Sequence, residues 1–113
     1  MNLTNEQLIE ILKTTIIVDE YGTIRWYLNG QLHRTDGPAI EYINGAKMWC
    51  FNNQLHRTDG PAIEDNNGNK FWYLNGKLHR TDGPAFEDSV TKEWYINGEQ
   101  VTEDEFNERT IDI

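Results

Sequence analysis

The 113 residues carry a formal net charge of −9, with 26% charged and 37% hydrophobic side chains and one cysteine. This suffices for one domain with a modest core; it excludes an internal disulfide and, with no apolar run of about 18 residues, a transmembrane helix. Residues 99–113 hold six acids against Arg109, for −5, and residues 1–98 carry −4, which opposes simple attraction to nucleic-acid phosphates or anionic lipid and suits a basic partner.

No basic segment followed by an apolar run opens the chain, so a secretory signal is not expected; the lone Cys50 fits a reducing, cytoplasmic setting. The first element is a predicted helix. Thr4 is an N-cap with Gln7 completing a capping box, and Leu3 and Leu8 stand at staple positions. Leu8, Ile11 and Leu12 share one face, with Ile9 beside them, while Glu6, Glu10 and Lys13 face away; the helix ends near Lys13 or Thr14. Residues 15–19, rich in β-branched side chains, predict a strand, and 20–23 a turn.

A repeat then fills most of the chain. Residues 26–41 read WYLNGQLHRTDGPAIE, 49–64 read WCFNNQLHRTDGPAIE and 72–87 read WYLNGKLHRTDGPAFE; a fourth copy opens at Trp94 and breaks off. A fixed period near 23 residues marks a stacking unit. Strand alternation puts Trp26, Trp49, Trp72 and Trp94 on one face with Leu28, Phe51, Leu74 and Ile96, the expected core face. Tyr27, Cys50, Tyr73 and Tyr95 fall on the other, wetter face. Arg25, Met48, Phe71 and Glu93, just before each tryptophan, are lax. Asn-Gly predicts a hairpin turn in each copy, with Asn53 standing in for glycine in the second. Thr-Asp-Gly-Pro predicts a second turn, in which aspartate bonds its own backbone and glycine supplies an unusual φ. Residues 44–45 and 67–68 turn the chain into the next tryptophan strand.

The fourth copy replaces the His-Arg-Thr-Asp-Gly-Pro segment with residues 101–106, VTEDEF. Thr102 with Glu105 predicts a second capping box, and Val101 with Phe106 a second staple, so 103–109 forms a short helix with Ile111 and Ile113 packing back. Glu103, Asp104 and Glu105 occupy its first turn, where the helix dipole favours acids. Both ends look like caps on an array.

The pattern K-x-W-Y-x-N-G-x-L-H-R-x-D-G-P-A over residues 15–98 resembles a variant of the MORN repeat, in the form seen in small bacteriophage and giant-virus proteins. The chain departs from the usual MORN pattern in its second half, where HRTDGPA replaces a simpler glycine pattern. The resemblance implies a scaffold, a protein-binding module or a membrane-surface module. A viral source would imply a small accessory protein that binds and inhibits a host factor, a defence protein among them.

The recurring polar residues invite a chemical role. His33, His56 and His79 recur with Asp36, Asp59 and Asp82 and with Arg34, Arg57 and Arg80. Equivalent residues two strands apart stand about 9–10 Å from each other, whereas ligands of one zinc lie within about 4 Å of each other. The expected role is therefore structural, in backbone and inter-repeat bonding, with no metal and no cofactor. The tryptophans are likewise structural, since base-stacking platforms come with a basic groove. Cys50 fills a tyrosine slot, and no phosphate loop, nucleophile motif or zinc pattern occurs. The expected architecture is mainly β: tandem hairpin repeats of about 23 residues in an elongated twisted sheet or solenoid, one domain over 1–113, with caps at 1–14 and 99–113. The expected function is non-catalytic protein binding through Tyr27, Tyr73, Tyr95, Glu103, Asp104 and Glu105. A self-assembling scaffold, a membrane-surface module and a nucleotide second-messenger binder are the alternatives, and monomer and homo-oligomer both remain open.

Overall fold

The computed structural model describes residues 2–111 and is an elongated, mainly β molecule of 46 × 34 × 26 Å with a short helix at each end. Ile113 lies outside the described residues. Helix α1 (Asn5–Lys13) leads into β1 (Thr14–Val18), which pairs antiparallel with β2 (Ile24–Leu28). Each repeat then adds two short strands to one main sheet: β4 (Ile40–Glu41) and β5 (Lys47–Met48), β8 (Ile63–Glu64) and β9 (Lys70–Phe71), then β12 (Phe86–Glu87) and β13 (Lys92–Ile96). The sheet runs β1-β2-β4-β5-β8-β9-β12-β13 and ends on β14 (Glu99–Val101), every observed pair antiparallel.

The Asn-Gly hairpins form a second ladder. β3 (Gln31–Leu32) returns against β2, β6 (Cys50–Phe51) pairs with β7 (Gln54–Leu55), and β10 (Tyr73–Leu74) with β11 (Lys77–Leu78). Their turns need left-handed backbone at two successive residues, and Asn29, Asn75 and Asn97 adopt φ of 50–53° ahead of glycine. Asn52 and Asn53 both do so in the second copy, as expected of a short polar side chain that tolerates it. Tryptophan joins the two ladders. The Trp49 N–H donates to Ala62, which leads into β8 of the main sheet, at 2.7 Å, and its carbonyl accepts from His56, just past β7 of the hairpin, at 3.0 Å; Trp26 and Trp72 do the same with their own partners.

That hand-over moves the core. Trp26, Trp49, Trp72 and Trp94 are only half-buried, and Phe51, expected beside Trp49 in the core, is exposed. The most enclosed apolar residues are Ala39, Ala62 and Ala85, with Ile40, Cys50, Val101 and Phe106. The main sheet instead carries a cross-strand row of Arg25, Ile40, Met48, Ile63, Phe71, Phe86 and Glu93. The positions that looked lax are thus the apolar interior of this row, with charges only at its two ends; Phe71 and Phe86 meet with ring centroids 4.8 Å apart. The next row is Ile24, Glu41, Lys47, Glu64, Lys70, Glu87 and Lys92. Its opposite charges face each other, each pair contributing about 0.2–1 kcal/mol.

Both caps form, with differences. α1 has its full capping box at Thr4 and Gln7, yet it buries no residue: Leu8, Ile9, Ile11 and Leu12 are 44–82% exposed. The face expected to look away supplies the anchor, since Glu10 lies 3.3 Å from His33 Nε2 and accepts from the Thr35 hydroxyl at 3.1 Å. α2 (Glu103–Thr110) starts at Thr102, whose hydroxyl accepts from the Glu105 N–H. The Glu105 carboxylate accepts from that hydroxyl, so the second box is only half formed. Val101 and Phe106 are both buried, whereas Ile111 is 78% exposed and does not pack back.

Two turn aspartates tie the fold to pH. The Arg25 guanidinium, bonded at 2.8 Å, holds the Asp19 carboxyl below its ordinary value of 3.8, helped by the Thr23 and Tyr21 N–H groups. At Asp65 burial pushes the carboxyl up, but the Asn69 and Asn67 N–H groups and the Asn69 amide outweigh it, and the net shift is down. A depressed carboxyl stabilises the fold fully above the unfolded value and loses that contribution as pH falls through the folded one. Urea midpoints should therefore drop below about pH 4, and Asp19→Asn and Asp65→Asn should each flatten the drop. An unchanged pH profile in both variants would show that these turns do not set acid stability.

Candidate functional site

The polar residues of the repeat assemble into a clamp within each of the first three copies. Arg34 stacks on Trp26, Arg57 on Trp49 and Arg80 on Trp72, with Cζ 3.8–3.9 Å from the ring centroid. Each Nε donates to the aspartate two residues on (Asp36, Asp59, Asp82) at 2.7–2.9 Å, and each Nη1 to a proline carbonyl at 3.1–3.2 Å. The glycine leaves room for this: a Cβ at Gly60 would stand 2.7 Å from Arg57 Cζ. Gly37, Gly60 and Gly83 are absent from the positive-φ residues. The second turn thus uses glycine for its missing side chain, and its aspartate bonds arginine, in place of the unusual φ and the self-bonded aspartate expected from sequence.

Histidine joins one copy to the next. Nδ1 of His33, His56 and His79 accepts the backbone N–H of Asn52, Asn75 and Asn97 at 2.9–3.2 Å. An accepting Nδ1 places the ring proton on Nε2. Backbone bonds run beside it, from Arg34 to Cys50 and from Asn53 to Leu32, with counterparts in the later copies. The three histidines therefore act in series, one per junction. Among the described residues no three His, Cys, Asp or Glu side chains group so as to hold a metal ion. Burial pushes the Cys50 thiol up, away from the thiolate that reactivity needs.

The surface residues singled out by sequence divide. Tyr27, Tyr73 and Tyr95 are half-buried. The Tyr95 hydroxyl donates to Glu93 at 3.2 Å; burial first, then this carboxylate, raises its pKa. Glu103, Asp104 and Glu105 are exposed on the first turn of α2, in no ion pair among the described residues. α2 packs against β13, which carries Trp94 and Tyr95, whereas Tyr27 and Tyr73 lie on other strands.

An open groove of about 420 Å³ at this end is lined by Trp94, Thr102, Glu93, Glu103 and Glu105, with Lys92 and Gln100. Counting from tryptophan, Thr102 holds the position that arginine holds in the other copies. Trp94 is thus the one tryptophan without an arginine of its own repeat, and the arginine position opens into a groove with three carboxylates. Sequence comparison of the copies contains this signal, but only the clamp gives it meaning. All five arginines of the chain are in ion pairs: the three clamps, Arg25 with Asp19, and Arg109 with Glu99. A smaller cleft, about 280 Å³, lies between α1 and the first repeat, with Leu3, Ile11, Ile16 and Trp26 among its walls. No described helix is long and apolar enough to cross a membrane.

Compared with family models, with curated proteins and with solved structures, the chain finds no match in any of the three.

Proposed function

We propose that the protein is a non-catalytic, MORN-like repeat module that binds a basic protein partner at its C-terminal end. The observation that carries this is the Trp94 groove. Three copies hold a guanidinium between an indole face and a carboxylate; the fourth offers an indole with Glu93, Glu103 and Glu105 and no arginine. A partner's arginine supplies what the chain uses three times on itself, and cation–π contact of this kind contributes about 0.5–2 kcal/mol. Tyr95, whose hydroxyl bonds the groove residue Glu93, adds the aromatic area that interfaces favour. The polar groups of the other copies are engaged in clamps and junctions, so they support a scaffold and not a reaction centre. Inhibition of a host factor by a viral protein is the role that the repeat resemblance adds to this proposal.

The test is affinity capture from a bacterial lysate at low salt with wild type, Trp94→Leu, and Glu103→Lys combined with Glu105→Lys. A basic protein should be retained by wild type, eluted by salt, and lost from both variants. Empty capture, or equal capture by the charge-reversed variant, would count against the proposal.

A further inference from the structure

We infer that β1 is the seam of a homodimer, in which two copies join edge to edge about a two-fold axis at Ile16. Among the described residues β1 pairs only with β2 and forms one edge of the main sheet. The direction of its backbone groups follows from its neighbours. Asp19 donates to Thr23, and Trp26 turns its N–H and C=O to Ala39 and His33, away from β1. Alternation then directs Thr15 and Ile17 to β2, and the groups of Thr14, Ile16 and Val18 outward. The Thr14 N–H is taken by the carbonyl of Ile11 at the helix end. The N–H and C=O of Ile16 and Val18 and the C=O of Thr14 form the open edge.

Proteins guard such edges with charge, proline, bulges or a covering element. β1, TTIIV, has no charge, no proline and no bulge in its pairing with β2. Ile16, Ile17 and Val18 are 48–62% exposed, on both faces of the strand. α1 does not cover the edge, because Glu10 anchors it inward, over His33 and Thr35 of the first repeat. At the opposite edge α2 packs on the sheet and buries Phe106.

A second copy pairs every open group of this edge except the Val18 carbonyl, whose facing Thr14 N–H is already bonded to Ile11. An open edge needs a strand, and β1 reversed on itself about Ile16 sets Ile16 against Ile16 and Thr14 against Val18. The two Ile16 residues exchange two hydrogen bonds, and each Val18 N–H finds a Thr14 carbonyl. The two-fold axis stands normal to the joined sheet, so both α1 helices lie on the same side. Their exposed residues, with Leu8 at 44% and Leu12 at 82%, then flank the seam and cover each other. Charge permits it: residues 1–18 carry only Glu6, Glu10 and Lys13, for −1 of the chain's −9. The interface is isologous and closes at two copies.

Sedimentation equilibrium across about 1–200 µM should give twice the 13.2 kDa chain mass at the upper end. Ile16→Pro removes an outward N–H without touching a bond to β2, and should give monomer. Leu12→Glu alters a side chain that supports nothing in the monomer, and should weaken association at least tenfold at unchanged thermal stability. Raising salt from about 0.05 to 0.5 M screens repulsion between the acidic remainders, so it should leave the dimer as tight or tighter, whereas capture at Trp94 should weaken. The two proposals therefore fail separately. Monomer at every concentration, a dimer untouched by both substitutions, or growth beyond two copies would overturn this one.

Discussion

Trp49→Ala should lower the unfolding free energy by about 3 kcal/mol, within the range for removing a large aromatic side chain. The ring is only half-buried, but its backbone joins the two ladders and its face holds Arg57, whose side chain is 20% exposed. Removing the indole leaves that guanidinium beside a cavity, still bonded to Asp59 and the Pro61 carbonyl. Gly60→Ala should act on the same contact from the other side. The added methyl would stand 2.7 Å from Arg57 Cζ, and because a guanidinium ends a flexible side chain it moves off the ring while the backbone stays. That substitution should cost about 1–2 kcal/mol, from the lost cation–π contact and distorted hydrogen bonds. The double variant should be less destabilised than the sum by about 1 kcal/mol. Urea denaturation of the four proteins measures this, and strict additivity would mean that glycine and tryptophan act independently of arginine.

Ala62→Leu should be as damaging, at about 3 kcal/mol, the upper end for overpacking. Ala62 is fully buried, and its carbonyl accepts the Trp49 N–H at 2.7 Å. A longer side chain there has no exit and must push the tryptophan strand off its partner. Ala39 and Ala85 occupy the same position in the other copies, also fully buried, so Ala39→Leu and Ala85→Leu should cost about as much. Ala46, half-buried after a turn, is the control, and Ala46→Leu should stay within about 0.5 kcal/mol. Equal melting temperatures for Ala62→Leu and Ala46→Leu would refute this account.

Much of the architecture is written in local chemistry and is legible without coordinates. The Asn-Gly turns, the Thr4 cap, the acidic start of α2 and the two-strand advance per repeat all follow from short-range rules. What misleads is the assumption that a strand keeps one partner along its length. Each tryptophan strand changes partner at tryptophan, so simple alternation put the core on the tryptophan side and dismissed Arg25, Met48, Phe71 and Glu93, which share the main-sheet row with the isoleucines. Helical periodicity misled similarly at α1. It shows that Leu8, Ile11 and Leu12 share a side, but not that anything within the chain lies against it. The arginine clamp was legible only as recurrence, since stacking of Arg57 on a ring eight positions earlier depends on the hairpin between them. For the same reason the meaning of Thr102 beside Trp94 emerges only once the other three copies have been seen.

The histidine junction has a direction: each copy offers an acceptor, and the next answers with an asparagine N–H. The fourth copy keeps its answering Asn97 but carries Val101 where a histidine would stand. It can therefore receive a neighbour but cannot recruit one. The histidine works as a punctuation of succession: each copy followed by another carries it, and the fourth, where the array closes, does not. Duplication or loss of an internal copy during inheritance would leave that punctuation intact.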